Sequence, residues 1–188
     1  YQTDEMCSIA IKNNANSFKF AKNQNEELCL AAVKKNGLLL EFVENQTEDI
    51  CCSAIINTIK SVKFIKNQTE KICLIMVQKQ CSLQNIQIQT DEICMIAVKK
   101  NGLSLQHVQN QTEKICLTAV QQCGSALEYV KDQTEDICCA AIITDINATK
   151  FIKNQTEKIC LIMANKKCSL KFINIQTDEI CMIAVLNN

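Results

Sequence analysis

The sequence contains no arginine, no proline and no tryptophan, and it has one histidine and three glycines in 188 residues. Without arginine it lacks the planar fork that reads phosphate or guanine bidentately. Twenty lysines balance twenty acids, so no net field draws nucleic acid or an anionic membrane surface. No apolar run reaches the roughly 18–20 residues of a membrane span. His107 is the lone histidine and there is no Cys-x-x-Cys. Neither a zinc-type ligand set nor a cysteine–histidine nucleophile is therefore visible. These absences predict a chain that is not an enzyme, with no catalytic residue, no metal, no cofactor, no nucleic acid and no membrane.

What the chain has in abundance is repetition. A glutamine recurs at Gln2, Gln24, Gln46, Gln68, Gln89, Gln111, Gln133, Gln155 and Gln176. The spacings are 22, 22, 22 and 21, then the same four again. A cysteine follows each glutamine five residues on, from Cys7 to Cys181. A longer period of 87 residues lies over the short one, because Cys51-Cys52 returns as Cys138-Cys139 and Cys81-Ser82-Leu83 as Cys168-Ser169-Leu170. We expect one repeat array over residues 1–188, enlarged by duplicating blocks of four repeats. It starts at Tyr1 and stops partway through a ninth repeat, which reads as a window on a longer periodic protein.

Each repeat reads as two short helices. Threonine follows the glutamine in eight repeats, with Asn25 in the ninth, and both are good helix N-caps. Acids come next, as in Glu48-Asp49, and lysines stand at the far end, as in Lys34-Lys35. That polarity suits a helix dipole. Gly37, Gly102 and Gly124 are expected to close the helix in the left-handed conformation. Ile59 and Ile146 stand where glycine would be in repeats three and seven, so those helices are expected to end differently. A brief second helix follows, as at Leu105-Gln106-His107-Val108. A unit of this size cannot bury its apolar face alone, so neighbours must cover it. The expected fold is all-α, an α-solenoid of 22-residue two-helix repeats. The alternative is a leucine-rich-repeat-like α/β solenoid, whose period of about 20–29 also fits.

The stretches Cys29-Leu30-Ala31-Ala32-Val33-Lys34-Lys35-Asn36-Gly37-Leu38 and Cys94 to Leu105 carry a resemblance. They resemble an uncharacterised short α-helical repeat family, a domain of unknown function abundant in giant DNA viruses of amoebae. The resemblance implies helical repeats and supplies no activity and no catalytic residue.

Of fourteen cysteines, nine form the ladder, and these are expected to pack as small buried hydrophobes. Five break the pattern. Cys52 with Cys81, and Cys139 with Cys168, recur together at the long period and join adjacent repeats. They are candidate disulfides. Cys123 has no twin, since Asn36 stands at its equivalent, and is the candidate intermolecular thiol. Asn45, Asn67, Asn110, Asn147 and Asn154 begin Asn-x-Thr triplets, which accept glycans if the chain is exported. Turn and capping chemistry uses the same residues. Oxidised cysteines would place the protein at a virion surface or outside cells, and reduced ones in host cytoplasm. The expected role is structural, a stiff solenoid that self-associates into a filament or virion-surface fibre. The alternative is an adaptor that binds a host or viral protein.

Overall fold

Threonine and the acids behind it decide where each helix begins. The computed structural model describes residues 2–187. Among these, nine α-helices start two residues after the repeated glutamines. They are α1 (Asp4–Asn13), α2 (Glu26–Lys35), α3 (Glu48–Asn57), α4 (Glu70–Gln78), α5 (Asp91–Lys100), α6 (Glu113–Gln122), α7 (Glu135–Thr144), α8 (Glu157–Asn165) and α9 (Asp178–Asn187). Thr47, Thr69, Thr112, Thr134 and Thr156 sit in extended backbone, and each side chain accepts the N–H of the third helical residue. Asn25 does the same for Leu28.

The second helix of each repeat is a 3-10 helix, not an α-helix. These are η1 (Ala15–Phe20), η2 (Gly37–Phe42), η3 (Ile59–Phe64), η4 (Leu83–Asn85), η5 (Gly102–His107), η6 (Gly124–Tyr129), η7 (Ile146–Phe151) and η8 (Leu170–Phe172). A single extended residue separates the two helices in the longer repeats. Asn36, at φ −146° and ψ 101°, ends α2 by donating its N–H to Ala32 O, and its side chain then caps η2 through Leu38 N–H. No strand occurs among the described residues. The chain is all-α, and the leucine-rich-repeat-like alternative is set aside.

The chain divides into two units, Tyr1–Thr90 and Asp91–Asn188. In the first, α1 to α4 stack side by side in one layer and η1 to η3 in another. In the second, α5 to α9 and η5 to η7 do the same. Each unit is a short α-solenoid. Its core repeats with the sequence: Ile50, Cys51, Ala54 and Ile55 of α3 are buried with Leu39, Leu40 and Val43 of the preceding repeat. Val98 and Val120 are fully buried against a following helix, whereas Val185 at the same place in α9 is 71% exposed.

The glycines do not take the left-handed conformation expected of them, since none has positive φ. Their reason is close approach. A Cβ on Gly37 would lie 2.3 Å from Ala54 O in the next repeat, and one on Gly102 would lie 2.4 Å from Ala119 O. The Gly37 N–H is also held from across that contact by Asn57 Oδ1 at 2.8 Å. The corresponding place is held by Ala15 in repeat one and by Ile59 and Ile146 in repeats three and seven, and nothing in the structure explains Ala15.

Repeats three and seven, expected to end differently for want of glycine, end as the others do, with Thr58 and Asp145 extended. The different endings belong to repeats four and eight. In α4 the Cys81 N–H reaches back to Met76 O at 2.9 Å, and Gln80 N–H reaches Val77 O at 3.0 Å. Gln80 sits at φ 66°. This is a Schellman closure with a non-glycine residue at its left-handed position. α8 closes identically on Lys167 at φ 63°. The closure removes one residue, which is why these repeats span 21 residues.

A left-handed residue other than glycine costs roughly 1–2 kcal/mol, partly offset by the greater flexibility of glycine in the unfolded chain. Gln80→Gly is therefore expected to stabilise the first unit by about 0.5–1 kcal/mol. A rise in the urea midpoint at unchanged slope is the measurement, and a fall would contradict the assignment.

Candidate functional site: the glutamine and cysteine ladders

The repeated glutamine lies in the bend before each helix and acts like a peptide group mounted on a side chain. Gln46 donates from Nε2 to Phe64 O at 2.9 Å and accepts the Lys66 N–H on Oε1 at 3.0 Å. Both partners lie at the end of the same repeat, so the side chain closes the repeat on itself. Its Nε2 also reaches Leu40 O of the preceding repeat at 3.2 Å. Gln111 and Gln133 repeat all three bonds in the second unit. In the short repeats Gln68 and Gln155 reach carbonyls seventeen residues on, at Asn85 and Phe172.

Ladder cysteines complete this clasp. Five thiols donate to the glutamine five residues earlier, at 3.3 Å for Cys73 and Cys160 and 3.7 Å for Cys51, Cys116 and Cys138. The glutamine oxygen thus accepts from a backbone N–H and a thiol together. Nothing in the repetition of glutamine singled out this role. The signal available was the constant five-residue offset, which sets the two side chains near each other at the helix start.

Burial favours the protonated form at six of the ladder thiols. Desolvation pushes Cys29, Cys73, Cys94 and Cys116 above the ordinary thiol value. Cys51 and Cys138 are pushed up to about 11, first by burial and then by the adjacent Cys52 or Cys139. A nucleophilic or metal-binding cysteine needs the opposite shift, toward thiolate. The sign has a consequence for stability. The unfolded thiols ionise from about pH 9, while Cys51 and Cys138 in the native state resist ionisation until about 11. Their contribution is complete below pH 9 and is lost as pH rises through 11. The urea midpoint is expected to fall between those values, and Cys51→Ala with Cys138→Ala should flatten the fall. An unchanged slope in that double variant would contradict it.

All fourteen cysteines are free thiols in this structure. Cys52 is not bonded to Cys81, nor Cys139 to Cys168. Cys52 and Cys139 are buried on the α-helical layer. Lys71 or Lys158 nearby favours their thiolate, but burial outweighs it. Cys81 and Cys168 instead occupy the Schellman turns, where burial raises both thiols and, at Cys81, the nearby Asn85 side chain and Ser82 backbone oppose it. The two members of each candidate pair therefore have different local tasks. Cys123 is half-buried at the end of α6, in the extended position that Asn36 holds after α2.

Asn45, Asn67, Asn110 and Asn154 are exposed in the bends. Asn147 is exposed in η7 and donates to Asp145 Oδ1 at 3.0 Å. The threonines of the four Asn-Gln-Thr triplets are the helix caps. Thr47 Oγ1 also donates to Glu26 Oε1 of the preceding repeat at 2.9 Å, and Thr156 bonds Glu135 likewise. His107 ends η5 as Phe42 ends η2 and Tyr129 ends η6. Lys71 pairs with Glu48 at 3.4 Å and Asp49 at 2.9 Å, and Lys158 pairs with Glu135 and Asp136 in the same way. These pairs are exposed and screened by solvent, so they add little to stability.

Among the described residues, no three His, Cys, Asp or Glu side chains gather as metal ligands. No described helix is long and apolar enough to cross a membrane. No curated protein and no solved structure matches the chain. Residues 90–138, which span α5, η5, α6, η6 and the start of α7, match the family model described as a domain of unknown function (DUF4116).

Proposed function

We propose that the chain is a structural repeat protein, a solenoid that self-associates into a filament. One observation carries the reading: the polar side chains of the repeat motif are spent on holding the repeat and its neighbour together. Gln46 closes its own repeat and bonds the preceding one. Thr47 caps its own helix and bonds the acid before it. Cys51 bonds Gln46 in the interior. Burial favours the protonated form at six of the ladder thiols, which suits packing and not catalysis. The contact between successive repeats is head-to-tail, and such contacts extend without closing unless a rotation brings them round.

The resemblance to repeats abundant in giant DNA viruses of amoebae makes a virion-surface fibre the setting proposed for such a filament. The adaptor reading, in which the solenoid binds a host or viral protein, is the second one. Exposed isoleucines at Ile56 and Ile143, amid polar residues at the same repeat position, favour some partner on the α-helical layer. Negative-stain electron microscopy of the purified chain across a concentration series tests the first reading. Fibres that lengthen with concentration are expected, and short particles of one size at every concentration would overturn it.

A further inference from the structure

The outward face of the α-helical layer in the first unit carries an apolar strip. Leu30, Ala31, Leu74 and Ile75 are half-buried along it, and Ile56 is 57% exposed. At the position of Ile56 the neighbouring helices carry Lys34 and Gln78. An isoleucine more than half exposed there has no role in the unit's own core, which takes Ile50 and Ile55 from the same helix. The second unit carries Ile143 at the equivalent place, also 57% exposed. The strip is bordered by charge of opposite sign. A cleft there is lined by Leu30 and Ala31, with Glu26, Glu27 and Asp49 at the helix N-termini and Lys34 at the C-terminal end of α2; Asp49 is already paired with Lys71. A second cleft beside it is lined by Lys34, Ser53, Ile56 and Asn57.

We propose that this face of the first unit pairs with the same face of a second copy of the chain. The charge pattern selects the occupant and its orientation. Two copies related by a two-fold axis along the stacking direction run their helices antiparallel. The acidic edge of each then meets the lysine edge of the other, and the apolar strips meet between them. Parallel helices would set acid against acid. The contact is isologous, as a two-fold interface must be. It builds on the self-association proposed above but uses a different surface, side by side and not end to end.

Sedimentation equilibrium of the full chain tests it. The mass of the wild type should rise with concentration to at least twice 21.1 kDa, pairing alone supplying the factor of two and end-to-end growth any mass beyond it. I56K should raise the dissociation constant by about a hundredfold or more, because both isoleucines of the dimer lose their apolar contact and two lysines take their place. Its circular dichroism should be unchanged, since the side chain is more than half exposed. K34E and E27K should each weaken the dimer, and the K34E/E27K double variant should recover part of the loss, because the reversed charges at positions 27 and 34 then face each other across the two-fold axis. A wild type that stays at 21.1 kDa, an unchanged constant in I56K, or a double variant weaker than both single ones would each overturn the pairing. Fibres in the microscope alongside any of these results would leave the filament reading intact. Dimers that I56K dissociates, without fibres, would keep the pairing and remove the filament.

Discussion

Gln46→Ala is expected to lower the stability of the first unit by about 2–3 kcal/mol, the largest effect of any substitution outside the apolar core. Three bonds are lost, to Phe64 O, Lys66 N–H and Leu40 O. Each net hydrogen bond is worth roughly 0.5–1.5 kcal/mol. Water reaches the half-exposed site and recovers part of the loss, which keeps the sum below its upper bound. The Cys51 thiol also loses its acceptor. Gln46→Glu separates the contributions. It keeps an oxygen for Lys66 N–H but turns a carboxylate toward two carbonyl oxygens, so it should be at least as damaging as alanine. Urea unfolding of the full chain measures both. A loss under about 0.5 kcal/mol in the alanine variant would falsify the clasp as a stabilising element. Gln2→Ala is the control, since Gln2 is exposed and makes its bonds at the first repeat.

Gly37→Ala is the second large effect, and its sign depends on which of two opposing terms wins. Gly37 has no positive φ. Alanine can adopt its backbone, and restricting the unfolded chain would then stabilise by about 0.4–1 kcal/mol. Against this stands a Cβ that would sit 2.3 Å from Ala54 O, a backbone atom that cannot turn away. Relief requires α3 to move off η2, and overpacking of this kind costs roughly 1–3 kcal/mol. The clash wins, with a net loss of about 1–2 kcal/mol. Gly102→Ala should resemble it, and Gly124→Ala should cost less because its nearest carbonyl would be 2.7 Å away. Thermal melts of the three variants give the order. A stabilised Gly37→Ala would show that helix α3 has room to retreat.

How far the fold was legible is clearest from the caps. Thr47 and its equivalents announce a helix start by local chemistry alone, because capping involves only a side chain and an N–H three residues away. The acids and the 22-residue spacing then place each helix to the residue. Glycine was misread for a physical reason. A left-handed turn and a tight contact both demand the absence of a Cβ, and the sequence around Gly37 is the same in either case. The turns that are left-handed lie at Gln80 and Lys167, where nothing in the residue type announces it. Their only trace is the one residue missing from repeats four and eight.

The site divides in the same way. Burial of the ladder cysteines was readable from their place between isoleucine and the alanine–valine pair, because helical periodicity sets which face turns inward. The bond from thiols such as Cys51 to the preceding glutamine was not readable. Nor was the bond from glutamines such as Gln46 and Gln68 to a carbonyl 17 or 18 residues on. Those partners meet only after the 3-10 helix has turned the chain back, and that turn is stable only when a neighbouring repeat packs on it. By itself the sequence determined the repeat, its helix starts and the inward face of each helix. These are short-range properties of one segment. Tertiary structure decided which glycine is a contact and which glutamine is a clasp, because both depend on the distance between chain segments some twenty residues apart.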